Sequence, residues 1–176
     1  MTNLDRLRLS VLIVALLLGA GCKHSEGGRN FKPSPLAGKL HSGQSLESVE
    51  QALGLSSGDF DIVMDRAPLP SDTRPLYRLL IIAEKHASLS GQTGRLVLTF
   101  YNDRLMTTQF YPSNMTATRA AVERAQELSL GSGEAHISPS TRVWIGKDEN
   151  KQAYIGWIDK SLQREQDTWL KQYESQ

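Results

Sequence analysis

Arg95-Leu96-Val97-Leu98-Thr99-Phe100-Tyr101-Asn102-Asp103-Arg104-Leu105-Met106-Thr107-Thr108-Gln109-Phe110-Tyr111 is the stretch that decides the fold. Residues 95 to 101 alternate, with Leu96, Leu98 and Phe100 on one side and Val97, Thr99 and Tyr101 on the other. That is the period of a strand with one face in a core. Asn102 and Asp103 both tolerate the positive φ of a tight reversal. Leu105 to Tyr111 then runs back until Pro112 stops it, so the pair reads as a hairpin.

Upstream, Leu76 to Ala83 is a short apolar run that predicts a third strand, joined to the hairpin by a polar loop from Glu84 to Gly94. The segment Leu55 to Thr73, broken by Gly58, Pro68 and Pro70, reads as loop. Before it, Ser45 can cap a helix on which Leu46, Val49 and Leu53 share one face, with Leu53 expected in the core and Gly54 ending the turn. Downstream, a second helix fits Thr116 to Leu128, capped by Asn114 or Thr116, with Ala121, Val122, Ala125 and Leu128 as its apolar face. Gly131-Ser132-Gly133 closes it. A second hairpin fits residues 141–146 and 152–158, and Asp159 can cap a last helix carrying Leu162, Trp169, Leu170 and Tyr173 on a stripe. Strands outnumber helices and hairpins dominate, which predicts an α+β fold: an antiparallel sheet with helices packed on one face.

The 176 residues, 39% apolar and 22% charged, suit one ordinary domain and exclude collagen-like or wholly disordered chains. Twenty basic and 19 acidic residues leave a formal charge of +1. No basic surplus exists to displace counterions from phosphate, so no nucleic-acid partner is expected.

The first 22 residues read as an address. Arg6 and Arg8 precede an apolar run, Leu9 to Leu18, interrupted only by Ser10. Ten residues rise about 15 Å as a helix, half of a bilayer core, so the run has the length of a signal-peptide core. Leu18-Gly19-Ala20-Gly21-Cys22 follows, ending in the chain's single cysteine. This resembles the lipobox of bacterial lipoproteins, which implies cleavage before Cys22, a diacylglycerol on its thiol and acylation of the new amino group. Two or three acyl chains anchor a protein stably where one does not. Lys23 stands where an aspartate would favour inner-membrane retention, so the resemblance implies an outer-membrane anchor facing the periplasm. The alternative is a soluble secreted chain cut near Gly21, with Cys22 incidental. The expected organisation is a signal peptide over 1–21, a lipidated flexible tether over 22–41, and one α+β domain over 42–176. Phe31 and Leu36 are the tether residues able to dock on that domain.

Little points to catalysis. His24, His41, His86 and His136 sit in tether or loop contexts without metal-ligand spacing. Asp59, Asp61 and Asp65 lack the glycine and closing glutamate of a calcium loop. Gly131-Ser132-Gly133 is not a nucleophile elbow, and no phosphate loop or paired carboxylate motif appears. The expectation is a protein that is not an enzyme and carries no cofactor or metal. The aromatics are the remaining signal: Trp144, Trp157 and Trp169 fall in the last third, with Tyr154 and Tyr173 nearby. They form either the core between the second hairpin and the last helix, or an exposed patch for a protein partner or glycan. For the patch reading, Trp144, Trp157 and Tyr154 are the candidate partner-binding residues.

Gly43-Gln44-Ser45-Leu46-Glu47-Ser48-Val49-Glu50-Gln51-Ala52-Leu53-Gly54 resembles the opening of the SmpA/OmlA (BamE-like) family of outer-membrane lipoproteins, with its glycine, capped helix, central valine and Leu-Gly ending. Residues 96–105 resemble that family's strand-turn-strand, in which a phenylalanine precedes a polar turn and a leucine restarts the strand. The likeness spans Gly43 to Phe110 and divides the domain into a family-like part, 42–111, and an extension, 112–176. It implies a β-lactamase-inhibitor-like fold and a scaffold role in envelope or barrel-protein assembly, exerted by docking to an envelope protein. The alternative is a small-ligand or enzyme-inhibitor domain. Val49-Glu-Gln-Ala52 and Val122-Glu-Arg-Ala125 echo each other, as two copies of a helix-plus-sheet unit would.

Overall fold

At Asn102 and Asp103, both left-handed with φ of 51° and 57°, the chain reverses between its two longest strands as the turn chemistry requires. The computed structural model describes residues 31–66, 75–131 and 133–174; the signal-peptide and Cys22 readings lie outside the described residues. Residues 32–176 fall in one compact unit. In chain order the elements are α1 (Leu46–Leu53), β1 (Phe60–Arg66), β2 (Tyr77–Ile82), β3 (Ser88–Leu89), β4 (Gln92–Tyr101) and β5 (Arg104–Pro112). There follow α2 (Met115–Ala125), β6 (Glu134–His136), β7 (Thr141–Lys147), β8 (Ala153–Asp159) and α3 (Lys160–Glu174). The eight strands form one sheet in the order β1-β2-β4-β5-β8-β7-β6, with β3 pairing only with β4. Every pairing is antiparallel. The fold is therefore α+β, and the β5–β8 pairing brings β8, β7 and β6 of the expected extension into the same sheet as the first hairpin.

Register carries the core across that sheet. Ile82, Leu96, Phe110, Ile155 and Ile145 stand opposite one another in successive strands, as do Leu80, Leu98, Thr108, Trp157 and Val143. These positions share one face by the two-residue period of a strand. Val49 of α1 and Val122 of α2 complete the core on that face. α1 starts at Ser45, whose hydroxyl accepts from the Ser48 amide, and ends at Gly54 with φ of 67°. Asn114 caps α2, accepting from the Ala117 amide at 3.0 Å. Asp159 caps α3 through the amides of Ser161 and Leu162.

Several expectations need correction. The tether does not extend to residue 41: Leu36, Ala37, Leu40 and Ser42 are buried, and the backbone doubles back through a Pro35–His41 bridge. Leu36 docks on the domain as the sequence allowed, but Ala37 and Leu40, spaced among glycines and a proline, carry no period that would announce their burial. Part of the 55–73 loop is the strand β1, which is exposed beyond Phe60 and held by pairing with β2 rather than by its own pattern. The 84–94 loop contains β3 and the start of β4. Within α1 the buried residue is Val49, whereas Leu53 is half-buried. α2 ends at Ala125, three residues short of the expectation, with Ala125 exposed and Thr118 buried in its place. β6 has no sequence signal and exists because β7 offers an edge. On α3 Leu162 is buried and Trp169 half-buried, but Leu170 is 41% exposed, so Leu170 does not belong to the packed stripe.

Candidate interaction face

The sheet's second face carries the residues of opposite parity. Arg95 faces Tyr111 across β4 and β5, Tyr154 faces Gly146 across β8 and β7, and Trp144 faces Gly156 across the same pair. The result is a continuous row over four strands. The Arg95 guanidinium lies 4.2 Å from the Tyr111 ring centre, and the Tyr111 and Tyr154 rings are 5.1 Å apart and tilted by 39°. Trp144 meets Tyr154 edge-on at 6.1 Å and 84°, its Nε1–H donating to the tyrosine hydroxyl at 3.4 Å. The Arg142 guanidinium closes the row, 5.1 Å from the Trp144 ring. Each stacked contact adds on the order of 1 kcal/mol to the area it covers.

Two glycines make this arrangement possible. A Cβ on Gly146 would stand 2.5 Å from Cζ of Tyr154, and one on Gly156 would collide with the six-membered ring of Trp144. Both rings thus lie down on bare backbone; Trp144 and Tyr154 remain half-buried, while Tyr111 beside them is buried and supports them from within the row.

Electrostatics hold the arginines. Arg95 donates from Nη2 to Gln152 at 3.2 Å and stands 3.7 Å from the Asp148 carboxylate, in the turn between β7 and β8. The Nε groups of Arg95 and Arg142 are buried without a hydrogen-bond partner. Burial pushes the Tyr111 phenol above its ordinary value; Asp148 adds to this and Arg95 opposes it. Glu165 of α3 pairs with Arg104, and its charge joins burial in raising Tyr101, so α3 sits beside the β4–β5 turn.

Of the three residues expected to meet a partner, the structure brings Trp144 and Tyr154 together and separates Trp157. Trp157 is fully buried on the core face, its Nε1–H donating to Gln126 at 3.1 Å beyond α2, so it anchors the core and is not available for docking. Tyr111, Arg95 and Arg142 were missed. The signal was present, because Arg95 and Tyr111 flank the first hairpin at paired positions, but it could be read only once the β5–β8 pairing was known. Asp59, Asp61 and Asp65 do not converge: Asp59 accepts from Ser56, and Asp65 pairs with Arg78. Among the described residues, no three His, Cys, Asp or Glu side chains gather to hold a metal ion. Compared with known proteins, the chain matches no family model and no curated sequence.

Proposed function

We propose that the chain is an outer-membrane lipoprotein of SmpA/OmlA type, held by acyl chains on Cys22 and facing the periplasm, which binds an envelope protein through the Arg95–Tyr111–Tyr154–Trp144–Arg142 row. The observation that carries the reading is that row itself, built over Gly146 and Gly156 on the face away from the core. Trp, Tyr and Arg are the residues that dominate protein interfaces, because large rigid side chains bury much area at little entropic cost. Anchoring adds to this: confinement to the membrane raises the partner's effective concentration and lets a modest surface suffice.

A second reading is an enzyme-inhibitor or small-ligand domain of β-lactamase-inhibitor type. It is favoured by the two helix-then-strand halves, whose echoing valines, Val49 and Val122, are both buried in the common core.

Purification from native membranes in mild detergent tests the docking reading. The wild type should retain an envelope protein that Tyr154→Ala and Trp144→Ala lose together. Equal recovery by all three would sink it, and retention of a soluble periplasmic enzyme instead would favour the inhibitor. Labelling with an alkynyl fatty acid should mark the wild type and spare Cys22→Ser; equal label would remove the anchor.

A further inference from the structure

On the core side, between the 37–40 turn, the end of α1 and the β3 flap, lies a cavity of about 300 Å³. Its floor is the Ile82–Leu96–Phe110 row of the sheet, its walls include Leu40 and Ala52, and Leu89 of β3 forms its roof. Lys39, His86 and Ser88 stand among these apolar groups. Ligand sites of this size are apolar with a few polar groups that fix orientation.

The polar groups are not equivalent. His86 Nε2 lies 3.5 Å from the Asp59 carboxylate, which is already engaged by Ser56. Lys39 is exposed and enters no salt bridge among the described residues, so a cation remains for an incoming anion. A second void of about 100 Å³, lined by Val122, Gln126 and Trp157, shares Gly38, Leu89 and Ser90 with the first. Leu89 is the partition. Its Cδ1 stands 3.0 Å from where a Cβ of Gly38 would be, so only glycine leaves it that position. The β3 turn that carries Leu89 passes through Ser90 and Gly91, both at positive φ, and β3 itself pairs only with β4.

We propose that this cavity binds a medium-chain carboxylic acid, with its chain on the Ile82–Leu96–Phe110 floor and its carboxylate at Lys39. A dry cavity of about 150 Å³ holds one benzene, so twice that volume suits a chain of about ten to twelve non-hydrogen atoms. Longer chains reach the second void only if Leu89 moves. The site is separate from the outer aromatic row and stands or falls independently of it.

Photolabelling of the full-length protein in its own membranes tests this, with decanoic acid bearing a terminal diazirine as the probe. Label should map to peptides containing Ala52, Leu89 or Leu96 and be displaced by decanoate more readily than by decanol. Ala52→Phe, which fills the cavity, and Ser88→Trp, which blocks it from the exposed rim without entering the core, should each cut labelling at least tenfold. Lys39→Glu should abolish the preference for decanoate over decanol, and Leu89→Ala should shift the best competitor to a longer chain. Label that is not displaced, that maps to the outer face, or that survives both Ala52→Phe and Ser88→Trp would overturn the proposal.

Discussion

The Ser42 hydroxyl donates to the Asp159 carboxylate, Oγ to Oδ2 at 2.7 Å, joining two fully buried residues 117 positions apart. Ser42 in turn accepts from the Ser34 amide at 2.8 Å, while the other oxygen of Asp159 accepts from the first amides of α3. One carboxylate therefore ties the segment before α1, the end of β8 and the start of α3. A buried carboxyl group is tolerated when both of its oxygens accept hydrogen bonds, and here the donors are a hydroxyl and two amides of a helix N-terminus.

Asp159→Ala should destabilise the domain by about 3 kcal/mol, because it strands a buried hydroxyl and two amides at once. Asp159→Asn, which keeps acceptor and shape, should cost less. Chemical denaturation measures both, and a wild-type midpoint for the alanine variant would show that the link carries no stability.

The two tryptophans of the second hairpin should behave oppositely. Trp157→Ala removes a fully buried ring and should cost about 3–5 kcal/mol. Trp144→Ala should cost about 1 kcal/mol in folding yet weaken partner binding by about 2 kcal/mol or more. Gly156→Ala should imitate Trp144→Ala in binding, since its methyl group displaces the ring. Thermal melting combined with the membrane co-purification separates the effects; a reversed order would exchange the faces.

Glu123 of α2 accepts from the Leu130 amide at 2.7 Å and pairs with Arg119 at 3.1 Å. These hydrogen bonds, the one from Leu130 first, hold its carboxyl below the ordinary value of 4.5. A lowered folded-state value means that the contribution is complete above 4.5 and fades as pH falls through the folded value. The protection factor of the Leu130 amide, taken relative to the intrinsic exchange rate at each pH, should therefore fall on acidification below that point, and Glu123→Gln should flatten this pH dependence. A protection factor whose pH dependence is the same in the wild type and in Glu123→Gln would contradict the assignment.

Truncation after Gly131 should give an unstable or aggregating product. It strips β8 from β5 and uncovers Phe110 and the Thr108 row, while a typical domain holds only about 5–15 kcal/mol in reserve. Limited proteolysis and thermal melting of residues 32–131 read the outcome. A sharp independent melt would make the C-terminal part a separate module.

What was legible in the sequence was local. The turn at Asn102-Asp103, the caps at Ser45, Asn114 and Asp159, and the alternation of both hairpins each depend on residues within a few positions of one another, and all appear in the structure. The partly legible elements depended on a neighbour. β1 is a strand because β2 stands beside it, and β6 because β7 does; neither carries a period of its own.

The candidate surfaces were decided by tertiary structure for the same reason. The alternation of the second hairpin put Trp144 and Trp157 on opposite faces, since their parity differs, but nothing local said which face the core would take. The pairing of β5 with β8 settled it, burying Trp157 beside Thr108 and setting Tyr154 against Tyr111. Ala37 and Leu40 show the limit most plainly. Among prolines and glycines they read as tether, because burial of isolated apolar side chains depends on a sheet assembled from residues far along the chain. Hydrogen-bonded turns and caps are short-range and written in adjacent letters; apolar burial has no direction or range of its own until the chain has closed around it.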